Sequence, residues 1–160
     1  MVYKKGTKVV HKTHGVGTIS GVETLNYGSG PQDYYLLVID GTGMMVRFPI
    51  ESKLGVVRTL VSEPEIGVAF EVLRSQPQVS SMVWNRRKKE LMEKLNSGSL
   101  TEMAEIVRDL VASSNKKELS YSEKEVLSKA RSRIVNEVSA VRKTDTDVVN
   151  GELNSLLNLS

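Results

Sequence analysis

The chain has no cysteine, only two histidines, one tryptophan and four prolines in 160 residues. Without cysteine there is no disulfide, no thiolate nucleophile and no thiolate metal site, so the fold must be held by ordinary apolar packing. His11 and His14 stand three apart with no acidic residue grouped beside them. A metal ion needs three or four ligands, so no metal and no cofactor are expected. Catalytic signatures are missing too: there is no Gly-x-Ser-x-Gly, no Walker loop and no His-Glu-x-x-His. Gly15-x-Gly17 does not open a helix and reads as a turn, not a nucleotide loop. An enzyme is therefore not expected. No run approaches the ~18 consecutive apolar residues that cross a bilayer, and the opening Met1-Val-Tyr-Lys-Lys-Gly lacks a signal-peptide core. A cytoplasmic protein is expected.

What is present suits a folded chain: 39% hydrophobic and 26% charged residues, with mean hydropathy −0.22. The length allows one ordinary domain or two small ones. The net charge of +3 says little, but its distribution says more. Residues 81 to 143 hold 14 Lys and Arg against 9 Asp and Glu, whereas residues 144 to 160 hold none against 3. Within the basic block, Arg86-Arg87-Lys88-Lys89 places four cations in four positions. Such a cluster attracts phosphate over about a Debye length, ~8 Å at physiological salt. A solvated helix face has the same appearance.

The hydrophobic period changes along the chain. Up to about residue 61 it consists of short β-branched and aromatic runs: Lys8 to His11, Gly15 to Gly21, Val22 to Asn26, Asp33 to Ile39, Met44 to Phe48 and Gly55 to Val61. Turns rich in Gly, Pro and Asn separate them, as in a small curved all-β unit. From Pro64 the period is helical. Glu65 to Leu73 is a short candidate, and Ser80 or Ser81 would cap a helix running to about Asn96. Ser99-Leu-Thr-Glu102 and Ser120-Tyr-Ser-Glu123 read as capping boxes opening two more helices. The second carries a stripe of Leu127, Ala130, Ile134, Val138 and Val141, and Val149, Leu153, Leu156 and Leu157 outline a short last helix. The predicted fold is α+β. It has a Tudor-like or SH3-like barrel over residues 1–62, a linker near Ser62 to Pro64, a compact all-α domain over 63–143, and an acidic tail or short helix over 144–160.

Two places carry candidate chemistry. In Met44-Met-Val-Arg-Phe48 alternation puts Met45, Arg47 and Pro49 on one side, and Val46 and Phe48 on the other. With Val46 and Phe48 inside, Met45 and Arg47 point outward from a short strand that could accept a partner strand, the guanidinium free for a carboxylate or carbonyl. A plain edge strand with a solvated arginine fits the pattern equally. The second place is Trp84, just ahead of the basic run. It reads either as core at a helix start or as an apolar wedge flanked by phosphate clamps, the arrangement that disturbs base stacking from the minor groove.

Several ordered stretches resemble the CarD/CdnL family of bacterial RNA polymerase-binding transcription regulators, from Gly6 to about Ala140. They are Lys5-Gly-Thr-Lys-Val-Val10, His14-Gly15, Tyr34-Tyr35, Val46-Arg47-x-Pro49, Val72-Leu73, Trp84-x-Arg-Arg87, Lys94-Leu95-x-Ser-Gly98, Ala104 to Leu110, Leu119-Ser120 and Glu123-Lys124-x-x-Leu127-x-x-Ala-Arg131. The resemblance implies a Tudor-like domain docking on the protrusion, or β1 lobe, of the RNA polymerase β subunit, and a helical domain at the upstream edge of the melted promoter. It implies polymerase contacts at Met45, Arg47 and Pro49, and DNA contacts at Trp84, Arg86, Arg87, Lys89 and Lys124. Trp84 would be the wedge at the upstream fork of the bubble. The implied mechanism is stabilisation of the open complex by hindering bubble collapse; separately, a monomer with no small-molecule ligand and no membrane partner is expected. The chain departs from the family pattern at His11-Lys12, Met82-Val83 and Lys88.

Other readings compete. A protein-binding adaptor would use its helical half for protein contacts without wedging DNA. A transcription-repair coupling factor shares the first domain but needs helicase motifs for which there is no room. A Tudor-type reader would cage a methylated side chain, but Tyr34 and Tyr35 alternate across a strand. A coiled coil would use the long helical stripe.

Overall fold

A computed structural model describes residues 3–51, 55–78 and 84–158, with the side chains of Trp84 and Asn85 outside that description. The chain divides into two units, residues 1–60 and 61–160. The first is a five-stranded antiparallel sheet: β1 Lys8–His11, β2 Gly15–Asn26, β3 Pro31–Ile39, β4 Met45–Pro49 and β5 Val57–Thr59. Their order across the sheet is β4-β3-β2-β1-β5. The second unit is helical: α1 Glu63–Arg74, α2 Trp84–Leu95, α3 Leu100–Ser114, α4 Tyr121–Arg142 and α5 Thr146–Leu156. A Tudor-like sheet domain followed by a helical domain is the predicted architecture.

In the sheet, alternation selects Val9, Ile19, Tyr35, Leu37, Ile39 and Phe48 for one buried cluster. The Tyr35 and Phe48 rings sit 5.3 Å apart, and the Tyr35 hydroxyl accepts the Tyr3 N–H at 2.8 Å. Tyr35 is thus core, which removes it from any aromatic cage. The two runs predicted on either side of Gly21 form one twelve-residue strand, with a β-bulge between Ile19 and Gly21. Such a bulge adds a residue and bends the strand without ending it. Gly17 serves close approach rather than a bend, because a Cβ there would lie 2.8 Å from Leu37 Cδ1 and 2.9 Å from the Val38 carbonyl oxygen.

The helical unit encloses a separate core that includes Ile66, Phe70, Leu95, Ile106, Leu110, Ile134, Val138 and Leu153. Ser62 to Pro64, read in the sequence as linker, form the cap and first turn of α1. Ser62 and Glu65 make a reciprocal capping box, and Pro64 falls in the first turn, where a missing N–H is harmless. Just before it, the buried Glu137 carboxylate accepts the Val61 N–H at 2.9 Å. The expected cap of α2 at Ser80 or Ser81 lies outside the described residues.

Ser99 caps α3 through the Glu102 N–H, but its own N–H donates to Ser97 Oγ at 3.1 Å, so the predicted box is closed on one side only. The box of Ser120 and Glu123 is complete. The stripe of α4 is taken up in the helical unit's own core, where α3 is its main helix neighbour. The acidic C-terminal segment belongs to this unit. Val149 and Leu153 enter the core, and Arg131 reaches from α4 to Asn154 Oδ1 at 2.6 Å. Arg142 binds Glu63 at 3.0 Å and Glu152 at 2.9 Å while lying 5.3 Å over the Phe70 ring. The hydrogen bond to Glu63 raises the pKa of this guanidinium.

Candidate functional site

β4 pairs only with β3, so one side of it is an open sheet edge among the described residues. The Ile39 N–H donates to the Met44 carbonyl at 2.8 Å and the Ile50 N–H to the Asp33 carbonyl at 3.1 Å. In an antiparallel ladder alternate residues turn their main-chain groups toward the neighbour. These two bonds therefore direct Met44, Val46, Phe48 and Ile50 toward β3, and leave Met45, Arg47 and Pro49 facing the open side. Pro49 has no N–H, so the edge offers donors at Met45 and Arg47 and carbonyls at all three.

Side chains follow the same parity. Phe48 is buried and Val46 packs against the cluster, whereas Met45 and Arg47 are exposed. Arg47 is not solitary: its Nε lies 3.0 Å from Glu23 Oε2 on β2. The register aligns Arg47 with Leu36 and Glu23 with Tyr34, so the ion pair runs diagonally over β3. An exposed pair contributes only about 0–1 kcal/mol, little enough for another carboxylate to displace it.

On the helical unit, α2 packs through Leu91 and Leu95. Arg86, Lys88 and Lys89 are exposed, and among the described residues none has an ion-pair partner. Arg87 differs from its neighbours. It is only partly exposed, and its guanidinium donates to Ser113 Oγ at 3.1 Å and approaches Glu123 Oε2 at 3.7 Å. Lys124 stands in the first turn of α4, loosely paired with Glu118 at 3.4 Å. A groove of about 440 Å³ between the end of α3 and the start of α4 is lined in part by Arg87, Lys116, Lys117 and Ser120. The Arg87–Glu123 pair brings the first turns of α2 and α4 together, so Arg86 and Lys124, each next in sequence to a member of that pair, flank this region.

Lys116 and Lys117 were not singled out in the sequence. A dibasic step just ahead of a capping box was the available signal. The wedge predicted at Trp84 falls on a side chain outside the described residues.

The two histidines serve the β1–β2 turn. His11 is buried, its Nδ1 accepts the N–H groups of Thr13 at 3.1 Å and His14 at 3.2 Å, and its ring lies 4.8 Å from that of His14. No cluster of three or more metal-ligating side chains occurs among the described residues, and no helix is long and apolar enough to cross a membrane.

One unit thus carries an open strand edge, and the other carries exposed cations without ion-pair partners among the described residues, the layout of a two-module protein. The chain belongs to the CarD family: residues 3–61 match the CarD-like/TRCF RID domain, and residues 68–154 match the CarD C-terminal domain. This is a family of transcription regulators related to RNA polymerase interaction, not a known enzyme class. A relative, "Putative transcription factor YdeB" of Bacillus subtilis (strain 168), is 25% identical over 142 residues, covering 88% of this chain and 93% of that protein.

Proposed function

We propose that this protein bridges RNA polymerase and promoter DNA and stabilises the open complex. The β4 edge adds a strand to the protrusion of the polymerase β subunit, with Met45, Arg47 and Pro49 as its contacts. Arg86, Lys89 and Lys124 hold phosphates at the upstream edge of the bubble, and Trp84 is the wedge at the fork. Nothing is catalysed.

The observation that carries this reading is the parity of β4, in which the outward side chains and the unpaired main-chain groups belong to the same residues. Main-chain hydrogen bonds give such strand addition its affinity, and Arg47 supplies a charged contact beside them. Tethering then makes weak DNA contacts sufficient, because a short linkage raises the effective concentration to about the millimolar range. Phosphate contacts position without reading sequence, which suits a regulator acting at many promoters.

The test is a pull-down of the full chain with the polymerase β protrusion, paired with open-complex lifetimes on a linear promoter. Wild type binds and lengthens the lifetime, and Arg47→Glu loses both effects while keeping its circular dichroism spectrum. Binding of Arg47→Glu at wild-type level overturns the docking model. Trp84→Ala keeps polymerase binding and shortens the lifetime; an unchanged lifetime removes the wedge.

A further inference from the structure

Arg87 belongs to the same four-cation run as Arg86, Lys88 and Lys89, yet its environment differs from theirs. It lies four residues before Leu91 and eight before Leu95 on α2, so it continues the stripe by which that helix meets the core. Its side chain is 24% exposed and that of Glu123 only 13%. Its Nη2 donates to Ser113 Oγ in the last turn of α3 at 3.1 Å, and its Nη1 lies 3.7 Å from Glu123 Oε2. The other Glu123 oxygen accepts the Ser120 N–H at 3.1 Å, and the Glu123 N–H donates to Ser120 Oγ at 3.2 Å. One carboxylate thus closes the cap of α4 and holds the guanidinium of α2. At the far end of α2, Arg133 of α4 donates to the Leu95 carbonyl at 2.6 Å, so α2 is held at both ends.

We propose that Arg87 is a positioning residue, a strut that fixes the cations of α2 relative to Lys124 of α4, and not itself a phosphate contact. This rests on the reading that Arg86, Lys89 and Lys124 meet DNA phosphates. Those cations stand on two helices, so they engage one backbone together only while the helices keep a fixed relation. A guanidinium suits the task because its planar fork reaches a hydroxyl and a carboxylate at once, which an ammonium cannot match. The rival is that Arg87 grips a phosphate itself through the groove it shares with Lys116 and Lys117.

The salt dependence of DNA binding separates the two. Each phosphate contact contributes about 0.9 to the log–log slope, whereas a strut contributes affinity without slope. The experiment uses the full chain and a forked promoter duplex from about 50 to about 300 mM salt. Arg86→Ala lowers the slope by about 0.9. Arg87→Ala weakens binding about five- to tenfold at unchanged slope. Glu123→Gln keeps an oxygen for the Ser120 N–H and weakens binding by the same factor. The double variant is no worse than either single one, since both remove the same strut. Amide hydrogen exchange in residues 88–95 speeds up in both single variants without DNA present.

A slope lowered by about 0.9 in Arg87→Ala makes it a phosphate contact and overturns the strut. So does a double variant whose losses multiply. Should Arg86→Ala leave the slope unchanged, the phosphate reading of that cation falls. Exchange in α2 then still decides whether Arg87 braces the helix, and unaltered exchange in both variants overturns the brace.

Discussion

The two units present themselves by different chemistry. The sheet unit offers main-chain groups along β4, whose positions are set by register and do not depend on the rotamer of a long side chain. The helical unit offers cations at the ends of flexible stems, and their usefulness depends on how well the helices beneath them are fixed. A backbone edge gives short-range, geometry-demanding contact, and exposed cations give long-range attraction that salt screens within about 8 Å. The difference teaches that one chain can carry one surface suited to recognition by shape and another suited to recognition by charge, each open to separate adjustment.

The largest expected effect tests whether the units are separable at all. Ile134, fully buried on α4, loses about 2–5 kcal/mol of packing in Ile134→Ala. Thermal unfolding then shows an early transition of the helical unit, with sheet signals retained; simultaneous loss of both would make the units one cooperative body. Next is Arg47→Glu, which places an acid beside Glu23 on the docking edge and costs polymerase binding about 2–5 kcal/mol, roughly 30-fold or more. Isothermal titration reads it, and DNA binding of the same variant stays at wild-type level.

Charge is tested by replacing Arg86, Lys89 and Lys124 together with Ala. The salt slope of DNA binding falls by nearly three units, at about 0.9 per contact, and equally on unrelated sequences. A loss confined to one sequence would identify base readers. The smallest effect probes the main chain by comparing Met45→Pro with Met45→Ala, which both lose the side chain. Only the proline also loses an outward N–H that β3 does not use, and it binds polymerase about two- to tenfold more weakly than the alanine variant, the equivalent of one net hydrogen bond. Equal binding of the two would mean that docking relies on side chains only.

How much of this was legible beforehand depended on range along the chain. The change of period near residue 61 and the Ser120–Glu123 box are local signals, and both elements stand where those signals put them. Ser62 to Pro64 read as linker with the helix starting at Glu65, whereas they form its cap and first turn, where proline is at home. Ser62 and Glu65 carried the cap signature and were passed over. The C-terminal segment reads either as an acidic tail or as a short helix through Val149, Leu153, Leu156 and Leu157, and it is a helix that docks through Val149 and Leu153.

The candidate surfaces were legible as residue types but not as partnerships. Alternation gave the outward side of β4. The Glu23 partner of Arg47 sits 24 residues away and depends on the register set after the bulge in β2. Likewise a run of four cations is uniform as sequence, and helical spacing puts Lys88 as near the Leu91 and Leu95 stripe as Arg87. What sets Arg87 apart is its contact with Ser113 and Glu123, which lie on other helices.

The open edge of β4 has a bearing on self-association. Two copies joined antiparallel about a dyad through Arg47 would set one guanidinium against the other, and the run would stop after a few bonds at Pro49. An incoming segment with an acidic residue at that point meets no such repulsion. The strand proposed to receive a foreign chain is therefore a poor template for its own kind, which favours a protein that stays dispersed as its concentration rises.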